Sequence, residues 1–318
     1  MKIIITGVGG FIGSTIADRH LLNGDYVVGI DNFSTGKRPF LRNALMNERF
    51  QLIEADLYSD HIDVDIFKGV DVVYHMAANA DIKDGLLHPN KDIEQNILVT
   101  FRVLETMRAA GAKNIAFASS AAALGEPPGF PTKETTPFPR QTSLYGASKA
   151  SCEGLISAYC EGFGFSAAVY RFVSVLGPRY PHGHVYDFVK KLLKDSTSLK
   201  ILGDGEQKKS YLHIEDCVAA VQNISKQVFK TGSYEVFHLG TEEYVKVSES
   251  AKIITSEMNV DPQFYFTGGR SGWIGDNPFV LLDISKAKSY NWSPKYSIEV
   301  SVRETVSYLL DNQWLFND

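Results

Sequence analysis

The chain has 318 residues, is 44% hydrophobic and 22% charged, and carries a formal net charge of −5 at pH 7. That is enough apolar material for a sizeable core in about two domains, and a mildly acidic balance gives no electrostatic reason to bind nucleic acid or an anionic membrane. No apolar run approaches the roughly 18 residues of a membrane span, the opening run is broken by glycine too soon for a signal peptide, and Cys152, Cys160 and Cys217 lack paired metal-ligand spacing, so reduced thiols in a cytoplasmic protein are expected.

In chain order, an apolar β-type run stops at Thr6, and Gly7, Gly10 and Gly13 follow at three-residue spacing before a helical pattern over Phe11 to Asn23. Gly24 is placed as its C-terminal cap. A strand, a glycine turn and a helix N-terminus accept a pyrophosphate, because backbone N–H groups approach the phosphates and the helix dipole favours their charge. Tyr26 to Ile30 reads as the second strand, ending in Asp31, about where an acidic residue meets the adenosine ribose. A carboxylate there repels a 2′-phosphate, which points to NAD over NADP, although Lys37 and Arg38 follow in the same loop.

Phe50 to Ala55 is a third strand, ending at Asp56 and Leu57, and 71–75 a fourth, running into Met76, Ala77 and Ala78. Residues 91–110 read as one long amphipathic helix, Asn114 to Ser119 as a fifth strand, 120–142 as a Pro/Gly-rich loop containing Pro139, Ser143 to Phe163 as a second long helix and Ser166 to Phe172 as a sixth strand. The alternation predicts an α/β fold with a doubly wound parallel sheet of Rossmann type. It loosens after Gly177-Pro178-Arg179. Helices are expected at Val185 to Lys194 and Ile214 to Lys226, strands at Leu199 to Leu202 and Tyr234 to Leu239, and a helical tail at Val247 to Met258, Ile284 to Ser289 and Ile298 to Leu310. The division is a dinucleotide-binding domain over 1–174, to which 211–240 returns, and a smaller mixed α/β substrate domain over 175–318. The ligand site is expected in the crevice at the carboxyl ends of the strands.

The sharpest chemistry is Tyr145-Gly146-Ala147-Ser148-Lys149, where Tyr145 and Lys149 share one helix face. A free tyrosine, with a pKa near ~10, is a poor base at neutral pH. A neighbouring ammonium stabilises the phenolate and lowers that value. A hydroxyl near the end of the fifth strand would complete the set, and Ser119 and Ser120 both qualify. His182-x-His184 has no carboxylate or cysteine at ligand spacing, so no metal is expected. Glu153 and Glu161 are assigned to the solvated face of the helix.

With these residues in view, the chain resembles the extended branch of the short-chain dehydrogenase/reductase superfamily, and within it the NAD-dependent sugar-nucleotide epimerases and dehydratases, in particular UDP-glucose 4-epimerase-like enzymes. The likeness covers nearly the whole chain. It rests on Thr6 to Gly13, Asp31 to Gly36, His75 to Ala78, Asn96, Ser119-Ser120, Tyr145 to Lys149, Arg171 to Arg179, 203–207, Tyr211 to His213 and 283–286. The resemblance implies NAD held by Gly7, Gly10, Phe11, Ile12, Gly13, Asp31, Asn32, Ser34, Thr35, Gly36, Asp56, Leu57, Ala77, Ala78, Asn96, Ser119, Tyr145 and Lys149. It implies Ser120, Tyr145 and Lys149 as the catalytic set. It places a nucleotide-diphosphate sugar against Ser120, Ser174, His184, Val185, Lys209 and Arg270, the last within Gly268-Gly269-Arg270-Ser271-Gly272-Trp273. It also implies a homodimer built on the helices at 91–110 and 143–163.

The two residues after Ser120 separate the branches of the family. The 4,6-dehydratases carry an Asp-Glu pair, the decarboxylases a Glu and the epimerase-reductases a Cys, where this chain has Ala121 and Ala122. Alanine cannot protonate a leaving hydroxyl, so the resemblance implies epimerisation of a nucleotide-linked hexose at carbon 4, through a transient keto-sugar. A dehydratase, a net NAD-dependent oxidoreductase acting on a secondary alcohol and a non-enzymatic redox-sensing regulator are the rival readings. The chain departs from the family at Leu124, usually Tyr, at Ser174, usually Asn, and at Lys209, usually Arg, which keeps the charge without the bidentate fork.

Overall fold

The computed structural model describes every residue except Lys83, Phe138, Pro139, Ser271, residues 273–276 and Asp318. Pro139 of the expected loop, and Ser271 and Trp273 of the segment around Arg270, thus lie outside the described residues. The chain divides into two compact units: Met1–Gly125, Phe138–Arg171 and Val218–Phe237 form the first, and Glu126–Pro137, Phe172–Cys217 and His238–Asp318 the second.

The first unit is organised by seven strands: β1 Lys2–Thr6, β2 Tyr26–Asp31, β3 Phe50–Glu54, β4 Val72–His75, β5 Asn114–Ser120, β6 Ser166–Phe172 and β7 Tyr234–Leu239. They form one sheet in the order β7-β6-β5-β4-β1-β2-β3. The pairings β1–β2, β2–β3, β1–β4 and β4–β5 are all parallel. Ile3, Ile4 and Ile5 are all fully buried, so β1 is covered on both faces, which is why it reads as an unbroken apolar run rather than an alternation. The main helices are α1 Phe11–Leu22, α2 Val99–Ala110, α3 Leu144–Phe163 and α4 Ile214–Thr231.

Strand order reverses at β1, which makes the carboxyl ends of β1 and β4 the switch point where ligands of such sheets bind. The glycines there are demanded by space. Gly7 has φ +68°, and a Cβ on it would lie 2.6 Å from the Ala77 backbone nitrogen. A Cβ on Gly13 would lie 2.2 Å from the Gly7 carbonyl oxygen. The turn after β1 therefore lies directly against the loop after β4, and α1 against the turn.

Two expectations change. Residues 91–110 are not one regular helix: Pro89–Asp92 is α-helical, Ile93–Leu98 is a π-helical turn, and α2 begins at Val99. Apolar periodicity tolerates the extra residue of a π turn, so the pattern could not reveal it. The tail is not purely helical either. Gln263–Phe266 pairs with Ser198–Ile201, and Lys208–Lys209 lies between Val245–Lys246 and Phe279–Val280. Strands this short carry no readable period.

Within the second unit, the Asp216 carboxylate accepts the Lys295 and Tyr296 N–H groups at 2.8 and 3.0 Å, and the Trp292 indole donates to the Asp216 carbonyl at 3.0 Å. Among the described residues no helix is long and apolar enough to cross a membrane.

Gly13→Ala inserts one methyl where a carbonyl oxygen already stands. Overpacking of this kind destabilises by about 1–3 kcal/mol. A lower midpoint in urea, together with loss of dinucleotide retention, is the expected outcome; an unchanged midpoint would show that the contact relaxes freely.

Candidate active site

Helix α3 starts at Ser143, whose side chain accepts the Gly146 N–H at 3.0 Å. Strand β5 ends at Ser120 and passes into a 3₁₀ turn, Ala121–Leu124, where the Ser120 hydroxyl accepts the Ala122 N–H at 3.1 Å. The helix lies tight against this turn: a Cβ on Gly146 would stand 2.4 Å from the Ala122 carbonyl oxygen. The approach brings the Ser120 side chain beside the Tyr145 phenol, where it favours the ionised form. Lys149, one turn on, is 2% exposed. Its ammonium donates to the Ala118 carbonyl at 2.8 Å and lies 5.8 Å from the centre of the Tyr145 ring.

Burial dominates both ionisations. It pushes the Tyr145 phenol up to about 12, against the effect of Ser120, and the nearby Asp92 and Cys152 add to the rise. Burial pushes Lys149 down to about 8, opposed by Cys152, Glu153 and Asp92. The sequence pointed to a phenol made more acidic by its lysine. Burial sets the direction instead, so at neutral pH Tyr145 is protonated and Lys149 charged.

Behind this pair lies a polar network that spacing alone did not reveal. Asn96, on the π turn, donates to Ser148 Oγ at 2.8 Å and Asp92 Oδ1 at 3.2 Å, and accepts the Asn79 N–H at 2.8 Å. Ser148 in turn donates to the Tyr145 carbonyl at 2.8 Å. Asn96 thus acts on the helix that carries Tyr145. His75 is fully buried between Thr6 Oγ1 at 2.7 Å and Thr100 Oγ1 at 3.0 Å, and burial pushes its pKa down to about 3.

Glu153 corrects the sequence reading. It is only 6% exposed and is no solvated face residue. Its carboxylate binds the Arg171 guanidinium at 2.7 and 3.0 Å and accepts the Ser119 hydroxyl. A half-buried arginine from β6 offsets the cost of the buried charge, and a partner of distant sequence is invisible to helical periodicity. Ser119 is engaged there, which leaves Ser120 as the hydroxyl at the phenol. Glu161 is exposed, as expected.

The opening glycines form a cradle that any side chain would fill, and no side chain caps the α1 N-terminus at Gly10. Phe11, Ile12 and Gly13 open that helix. Asp31 ends β2 with its carboxylate accepting the Gly9 and Phe33 N–H groups at 2.8 and 2.7 Å, while burial pushes its pKa up. Asn32 donates to Asp56 Oδ2 at 3.1 Å and accepts the Ser34 N–H at 3.0 Å. Gly36 lies against Asp31, a Cβ there falling 2.7 Å from Oδ1. Thr35 is exposed, Leu57 buried, and Ala77 and Ala78 half-buried. The residues present fit an adenine dinucleotide: uncapped N–H groups for the pyrophosphate and a carboxylate at the second strand end.

In the second unit, the His184 ring takes Ser250 Oγ at 2.8 Å and the Tyr211 hydroxyl at 3.1 Å, and burial pushes its pKa down to about 3. Ser174 is exposed. The Lys209 ammonium donates to the Asn277 carbonyl, and Arg270 is 81% exposed with Glu126 at 3.6 Å. Val185 is fully buried, so its side chain packs the unit.

A tyrosine that needs a nearby cation to ionise, in the same unit as a dinucleotide cradle, is the arrangement of short-chain dehydrogenase/reductase proteins. More narrowly, the chain belongs to the NAD dependent epimerase/dehydratase family, whose model matches residues 3–240. It is 30% identical over 320 residues to the UDP-glucose 4-epimerase of Mycolicibacterium smegmatis, covering 97% of this chain and 98% of that one. A crystal structure of a UDP-galactose 4-epimerase superposes with TM-score 0.87 at 31% identity, covering 99% of this chain and 100% of that one. The UDP-glucuronic acid 4-epimerase of Bacillus cereus, in complex with UDP-glucuronic acid and NAD, superposes with TM-score 0.89 at 27% identity over 98% and 99% of the two chains.

Two substitutions probe this geometry. Gly146→Ala forces α3 off the Ser120 turn, and a displacement approaching 1 Å costs about a hundredfold in kcat; circular dichroism should remain native while turnover falls. Lys149→Met removes a group whose folded pKa is depressed. The unfolded chain binds the extra proton between the folded value of about 8 and the unfolded one, so the native chain pays for keeping Lys149 charged and gains stability as pH rises through that window. The variant should therefore be inactive yet more stable at pH 7 by about 3 kcal/mol, with the gap closing as pH rises above 8. A gap that stays flat with pH would show that the fold does not depress the pKa of Lys149.

Proposed function

We propose that the chain inverts carbon 4 of a nucleotide-diphosphate hexose, with UDP-glucose and UDP-galactose or their N-acetyl forms as substrates. The observation that carries this reading is the Tyr145 phenol with the Ser120 side chain beside it and the Lys149 ammonium 5.8 Å from its ring centre, followed by alanine at 121 and 122. These residues provide oxidation and reduction at one carbon and no acid to expel a second hydroxyl. The named relatives, all UDP-sugar 4-epimerases, support it.

NAD, when bound, supplies the hydride acceptor and donor. Tyr145 holds and moves the proton of the sugar hydroxyl. Ser120 orients the same oxygen and binds the phenol, keeping the two within reach of each other. Lys149 supplies positive charge that favours the phenolate, and the nicotinamide cation adds to it. Asn96, through Ser148, fixes the helix turn on which Tyr145 stands. Lys209, Arg270, Ser174 and His184 are assigned to the nucleotide diphosphate and sugar, and that tether lets the transient keto-sugar turn without escaping. The protein is assigned to the cytoplasm and to a homodimer formed through the helical segments at 91–110 and 143–163, where Ile93, Phe101 and Phe163 are exposed.

The test is a panel of UDP-glucose, UDP-galactose and their N-acetyl forms, with products separated by chromatography and mass. Interconversion of one pair of carbon-4 epimers without net NADH is expected, falling by about 10²–10⁴-fold in Tyr145→Phe. Loss of water from the substrate, or undiminished turnover in the variant, would sink the proposal.

A further inference from the structure

The rim of the adenosine site holds a contradiction. Asp31 is the carboxylate of an NAD site, yet the same loop carries Arg38, the residue type that receives a 2′-phosphate in NADP sites. Strands β2 and β3 run parallel with Asp31 and Glu54 as direct register partners at their carboxyl ends, so two carboxylates stand side by side. The Arg38 guanidinium pairs with Glu54 and stacks on the Phe33 ring, 4.7 Å from its centre. Phe33 is held at φ +54°, a left-handed conformation that a bulky residue rarely adopts. Its N–H bonds Asp31 Oδ1, and its ring closes on Gly9, where a Cβ would lie 2.8 Å from the ring and 3.2 Å from Asp31 Oδ2. Phe33 thus forms a shelf between Asp31 and the arginine.

We propose that Glu54 is a second cofactor-selecting residue: by engaging Arg38 on the Phe33 shelf, it withholds from a 2′-phosphate the cation that would otherwise receive it. Asp31 repels the phosphate directly, and Glu54 removes its partner. The remaining charged groups of this rim are Lys37, on the same loop, and Asp56, which the Asn32 amide engages. The inference rests on the NAD chemistry of the family and concerns only how the chain refuses the phosphorylated form.

The test is binding rather than turnover. Protein stripped of resident nucleotide is titrated with NADH and with NADPH, bound nucleotide being read by its fluorescence, for the unchanged chain, Glu54→Gln, Arg38→Ala and the double variant. Both side chains are more than half exposed, at 53% and 55%, so the variants fold. Glu54→Gln should narrow the preference for NADH by about threefold to tenfold through tighter NADPH binding, and the narrowing should largely vanish when Arg38 is absent. A ratio indifferent to residue 54, or a narrowing equally large in the Arg38→Ala background, overturns the proposal alone. An unchanged chain that binds no NADH overturns the cofactor reading beneath it as well.

Discussion

Helix α3 can present Tyr145 to Ser120 only because residue 146 has no side chain. The Ala122 carbonyl occupies the space a β-carbon would take there, and the shape of the site follows from that contact. Ser120 serves as the end of β5 and as the cap of the 3₁₀ turn whose carbonyl meets the helix. The same approach fixes the depth of Lys149, whose ammonium is anchored on the β5 backbone at Ala118. One turn further, Glu153 joins the helix to β6 through Arg171 and takes up Ser119. The Tyr145 phenol is therefore located by backbone contacts and buried bonds.

Desolvation acts against the chemistry. It keeps Tyr145 neutral and weakens the hold of Lys149 on its proton. Asp92 and Glu153 counter the second effect and hold the ammonium charged, while Asp92 adds to the first. Burial thus holds the phenol short of ionisation, and a further positive charge shifts it towards phenolate. The fold tolerates so unfavourable a lysine, since sites are often less stable than the residues around them could be.

Much of the fold was readable because it is repetitive. Strands β2, β6 and β7 and helices α1 and α3 stand where turn glycines and apolar runs marked them. Burial on both faces produces long apolar stretches, and glycines placed by space leave fixed intervals. The Tyr145–Lys149 pair was legible for a similar reason: both residues lie on one helix, so sequence spacing is geometry. The features that stayed hidden join distant segments. Glu153 looked like a surface residue because its partner comes from another strand. The Asp92–Asn96–Ser148 chain involves two helices. The direction of the Tyr145 shift depends on how much water the finished fold excludes, which no local pattern records. The short strands of the second unit fall below the length at which alternation can be seen.

The π turn at Ile93–Leu98 also sets the rotation of the helix that follows it. A wide turn accommodates one more residue than a regular one, and a single residue corresponds to about 100° of helical rotation. The faces of α2 are therefore offset from those of the Pro89–Asp92 turn by that angle. A relative lacking the extra residue would carry its gap inside this helix, beside Asn96, rather than in a surface loop.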